Sequence, residues 1–169
     1  LGPEGGPFSI YFRKGDEQLF ANWIVPKEID TEPFEVVAKF SDRVSFRKNF
    51  SLINASGTNM DIGIERIVKL LNTDESESAL GIPIDKSLSF VAYESENTLI
   101  NKGRSDWTEK SGALSVWMLA MFNPSPSGVI FIPFKKRMEG EAGKIVNDDY
   151  FGKVPAERLI IKDGILFFR

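Results

Sequence analysis

The chain has 169 residues, 21 of them basic and 24 acidic for a net charge of −3, and contains neither cysteine nor histidine. The charge balance leaves no basic excess to hold a phosphate backbone, so nucleic acid is not an expected partner. Without Cys there is no disulfide framework or thiolate, and without His there is no Ser–His pair and no ordinary transition-metal site; any proton transfer must use Asp, Glu, Lys, Tyr or water.

In chain order, "LGPEGGPFSIYF" (residues 1–12) places the turn Pro3-Glu4-Gly5-Gly6 before an alternating pattern that reads as a strand. The glycines permit positive φ and Pro3 stiffens the corner, which leaves Glu4 projecting either as a plain turn corner or as the carboxylate at the mouth of a site. "FEVVAKF" puts Phe34, Val36, Ala38 and Phe40 at period 2, and "RVSFRKNFSLIN" puts Val44, Phe46, Phe50 and Leu52 on one face with Lys48 interrupting it. With Asp42-Arg43 between them, the two read as a hairpin. "NMDIGIERIVKLL" continues the alternation and predicts a long strand, a helix being the alternative. Residues 72–83 carry few apolar anchors and predict a loop with one short helical turn. "LSFVAYES", "ALSVWMLAMF" and "GVIFIPF" each predict a strand, and "LIIKDGILFFR" predicts a strand, a turn at Asp163-Gly164 and another strand. No apolar run approaches the ~18 residues that a membrane span needs. Many strands with turn signals between them and almost no amphipathic helix predict an all-β antiparallel sandwich or barrel.

Three groups of residues could carry chemistry. The first is the Glu4 turn. The second is "ENTLINKGRSDW", where Asn97, Asn101, Arg104, Asp106 and Trp107 supply amides, a guanidinium, a carboxylate and an indole. A sugar needs that mixture: amides and Arg bond paired hydroxyls, and an aromatic face covers the C–H side of the ring. The alternative is that the Asn and Asp cap turns and Trp107 is core. The third is "KIVNDDYFGKVP", where Asn147, Asp148 and Asp149 crowd oxygen ligands that suit Ca²⁺ or a pair of coupled carboxylates, and Tyr150 adds a phenol. An Asx-type turn before a buried aromatic pair is the plain reading. Lys135-Lys136-Arg137 reads as a solvated strand end, and Asn49-Phe-Ser and Asn54-Ala-Ser match the glycosylation pattern, which also arises by chance.

The stretches "LGPEGGPFSIYF", "NWIVPKEIDTEPFEV", "GALSVWMLAMFNPSP" and "KIVNDDYFGKVPAERL", in that order, resemble an uncharacterised bacterial family of the galactose-mutarotase-like supersandwich fold. The resemblance spans nearly the whole chain. It implies a large antiparallel β-sandwich of which residues 1–169 form a single domain or part of one, cut at both ends, and an exported protein, periplasmic or extracellular, with its signal peptide outside this segment. Aldose mutarotases use a His acid and a Glu base; no residue of this chain matches such a motif closely enough to inherit a role.

The expected function is that of a carbohydrate-active protein whose loops at one sheet edge hold a sugar, with a non-catalytic carbohydrate-binding or structural module as the alternative. If the protein is an enzyme, Glu4 or Asp148 is the expected base, the other or Asp149 the acid, and Arg104 the stabiliser of developing negative charge. Asn97, Asn101, Trp107, Asn147 and Tyr150 are the expected substrate-binding residues. No transition metal is expected, and Ca²⁺ is the one metal that the residue types admit.

Overall fold

Period-2 alternation of β-branched and aromatic residues builds a four-stranded antiparallel sheet from β1 (Glu35–Lys39), β2 (Arg43–Ile53), β3 (Asn59–Leu71) and β4 (Ala92–Asn101), in the order β1-β2-β3-β4. The computed structural model describes residues 1–123, 125–134, 145–148 and 152–169. It separates into two compact units, residues 1–119, which hold this sheet, and residues 120–169.

Register places Phe50 opposite Ile62, Leu52 opposite Met60 and Ile64 opposite Leu99, all on one face. That face packs on Ile10, Tyr11, Phe12 and Leu114, with Ile62 fully buried and Trp23 and Trp107 at the border of the cluster. Burying a side chain of this size stabilises by about 1.5–3 kcal/mol. Lys48 interrupts the apolar stripe as the alternation indicated, and the structure shows how the charge is kept there. Its ammonium lies 3.4 Å from the Glu32 carboxylate, donates to the Glu32 carbonyl at 3.0 Å and sits over the Phe34 ring.

Several expectations are corrected. In β1 the register shifts between Val36 and Ala38, so Val36 pairs with Phe46 and Ala38 with Ser45, and the two side chains fall on opposite faces. Residues 72–83 hold an eight-residue helix, Thr73–Leu80, not a single turn. Asn72 accepts from the Glu75 N–H while the Glu75 carboxylate accepts from the Asn72 N–H, and Gly81 ends the helix at φ 71°. Residues 8–12 form no strand: Ile10, Tyr11 and Phe12 are buried in succession, which a half-buried strand cannot do, and they plug the sheet as irregular backbone. "ALSVWMLAMF" forms no strand either; its one ladder contact is the bridge from Ser115 to Gly2. The strand predicted in "LSFVAYES" begins only at Ala92.

Residues 120–169 carry a second antiparallel sheet, β5 (Ile130–Pro133), β6 (Leu159–Lys162) and β7 (Ile165–Phe168), in the order β5-β7-β6. The β6–β7 hairpin closes at Asp163 and Gly164, both at positive φ, as a two-residue hairpin turn requires. Pro133 is tolerated because β5 is an edge strand. The fold is therefore all-β, with two antiparallel sheets. Among the described residues no helix is long and apolar enough to cross a membrane.

Candidate functional site

The β2–β3 connection is made by Asn54, which is fully buried and spends its side chain on three hydrogen bonds. Its Oδ1 accepts from the Ser56 hydroxyl and from the Thr58 N–H, closing the turn as an Asx motif, and its Nδ2 donates to the Ser111 carbonyl. That last bond ties the β2–β3 connection to the turn at residues 108–112, which is held by the Thr108 and Ser111 hydroxyls. Asn101, at the end of β4, does the same work for the following loop: its Oδ1 accepts from the Gly103 N–H at 2.9 Å and its Nδ2 donates to the Ser105 carbonyl at 2.9 Å. The Lys102 N–H donates to the Asp61 carbonyl, so strand pairing sets the loop beside the start of β3.

Between these two loops lies a cleft of about 270 Å³, lined by Asn59, Asp61, Asn101, Arg104, Asp106 and Trp107 together with small hydroxyl residues. Asp61 is half-buried and its Oδ1 accepts from Ser51 and Asn59. In contrast, the Arg104 guanidinium and the Asp106 carboxylate are exposed and have no hydrogen-bond or ion-pair partner among the described residues. Trp107 packs one side on the core and contributes to the cleft lining. The cleft thus offers a rim of engaged amides together with a cation and an anion that have no partner among the described residues, and an indole.

Asn101, Arg104, Asp106 and Trp107, grouped in the sequence, are therefore brought together. Asn97 is not: it stands further back on β4, donates to Ser95 and lines a different groove. Glu4 is absent from the cleft lining too; its carbonyl accepts from the Ser9 hydroxyl, and Gln18 clamps the same turn through both polar groups of Gly6. Sequence reasoning missed Asn59, Asp61 and Ser111. Asn59 and Asp61 lie on a strand about forty residues upstream, and only the β3–β4 register, with Ile62 opposite Asn101, brings them in.

In residues 120–169, Asp148 accepts from Lys153 Nζ at 2.9 Å and from the Val154 N–H at 3.2 Å. The Lys153 hydrogen bond, helped by that N–H, holds the carboxyl below its ordinary value, so it stays ionised at neutral pH. Asn147 keeps an interaction of its own, whereas Asp149, Tyr150 and the Lys135-Lys136-Arg137 cluster lie outside the described residues. Among the described residues no group of three or more carboxylates is arranged to hold a metal ion.

The chain belongs to a family of unknown function, DUF6786, whose model matches residues 1–169. No curated protein and no solved structure matches it.

Proposed function

We propose that this member of the family binds a carbohydrate in the cleft between the β2–β3 turn and the loop after β4. The observation that carries the reading is a pair of charged groups in the cleft lining: the Arg104 guanidinium and the Asp106 carboxylate have no partner among the described residues, while the Asn59 and Asn101 amides are engaged. Adjacent sugar hydroxyls donate to a carboxylate and accept from a guanidinium, and an indole covers the apolar side of a pyranose ring. Binding without catalysis is the preferred form. Asp61 Oδ1 is engaged by Ser51 and Asn59, and Asp148 is engaged by Lys153 and the Val154 N–H. The galactose-mutarotase-like fold, a bacterial origin and export to the periplasm or beyond belong to the same proposal and rest on the resemblance of the quoted stretches.

Isothermal titration with a panel of neutral mono- and oligosaccharides tests it. At least one sugar is expected to bind, and Arg104→Ala or Asp106→Ala to weaken it by about tenfold with the far-UV spectrum unchanged. A panel in which nothing binds, or variants that bind like the parent, overturns the reading. Polarimetry on a fresh α-anomer is expected to show no acceleration of its interconversion; acceleration abolished by Asp148→Asn would replace binding with catalysis.

A further inference from the structure

A second groove of about 180 Å³ lies on the core-facing side of the four-stranded sheet. Its floor is Ile64 and Arg66 of β3 with Asn97 and Leu99 of β4, which the register places side by side in two rows. The rest of its lining includes Ile29, Phe34, Trp117 and Met118. The residue that does not belong in such a floor is Arg66. By strand parity it shares the face of Ile62 and Ile64, yet it is exposed and makes no hydrogen bond or ion pair among the described residues. Lys48, on the same face, shows what a structural cation looks like here: it is nearly buried and paired with Glu32. Arg66 has the apolar setting without the carboxylate.

We propose that this groove binds a small amphipathic carboxylate, with the Arg66 guanidinium taking the carboxylate in a two-point hydrogen-bonded pair and Ile29, Phe34, Trp117 and Met118 covering the apolar body. An anion supplies the charge complement that the protein withholds, and a guanidinium matches the planar carboxylate fork. The lining removes the apolar body from water, which gives affinity that the ion pair alone does not. The site is separate in residues from the sugar cleft and stands or falls independently of it.

The test uses the whole chain, with hexanoate as probe and hexanol as its neutral counterpart, followed by isothermal titration and by the emission of Trp117. Hexanoate is expected to bind about tenfold or more tightly than hexanol, and Arg66→Gln to erase that difference while leaving hexanol binding and the melting temperature unchanged. Met118→Ala is expected to weaken both probes, and Arg104→Ala neither. Equal binding of hexanoate and hexanol, no binding of hexanoate, or hexanoate binding that survives Arg66→Gln overturns the proposal.

Discussion

In the four-stranded sheet the strands β2, β3 and β4 run 11, 13 and 10 residues, and one face is closed by Ile10, Tyr11, Phe12 and Leu114. In the three-stranded sheet every strand has four residues, and Leu166 is its one buried hydrophobic residue among those described. Both obey the same antiparallel pairing, so hydrogen-bonded ladders alone do not separate them; what differs, among the described residues, is the amount of apolar side chain buried on the sheet. Short ladders that bury little apolar surface are marginal in water, and in the first unit cohesion resides where an irregular segment is laid over the sheet.

The largest expected effect is that of Ile62→Ala, which removes the most buried side chain of the larger sheet and should cost about 2–5 kcal/mol in urea denaturation followed by circular dichroism. Leu166→Ala should cost below about 2 kcal/mol, because the residues paired with it, Ile132 and Ile161, are exposed and leave room to relax around the gap. Equal costs would break the comparison. Next, Asn54→Ala should cost about 1–3 kcal/mol, since the Thr58 N–H and Ser111 carbonyl both lose their partner. That variant sharpens the comparison by showing that the first unit is closed by a polar keystone as well as by apolar packing.

The smallest effect is that of acid. In the first unit Glu32 is held below its ordinary value of 4.5 chiefly by Lys27, and Glu75 likewise by Lys69. In the second unit Asp148 is held below 3.8 chiefly by Lys153. A carboxyl depressed in the folded state stabilises above its unfolded value, and that contribution is lost as the pH falls through the folded one. The melting temperature should therefore be flat above about pH 5 and decline below the ordinary values of 4.5 and 3.8. Because all three groups are still partly open to solvent, the decline should shrink in high salt.

Much of the larger sheet was legible in the sequence because β2 and β3 alternate over many residues with one face buried, so Phe50, Leu52 and Ile64 identify that face without help. Where alternation is not caused by a ladder it misleads: residues 8–12 and 113–119 have the apolar content of strands, yet Ile10, Tyr11, Phe12 and Leu114 pack on the sheet from irregular backbone instead. The helix Thr73–Leu80 was underestimated because its signal is the Asn72–Glu75 box and Gly81, not an apolar stripe. Of the cleft, Asn101, Arg104, Asp106 and Trp107 could be read because they are neighbours in the chain. Asp61 could not, since its place depends on the register of two strands. Arg66 and Asn97 form a pair only through that same register.

The Asn54-Ala-Ser triplet has the form of an acceptor for attached glycans, but in the folded chain its amide nitrogen is inside the protein and bonded to the Ser111 carbonyl. A transferase could reach it only before the β2–β3 turn closes. In a host that glycosylates nascent chains, modification and folding would compete for the same nitrogen, and a chain modified there could not bring the residues 108–112 turn home. Asn49, exposed on β2, carries no such conflict.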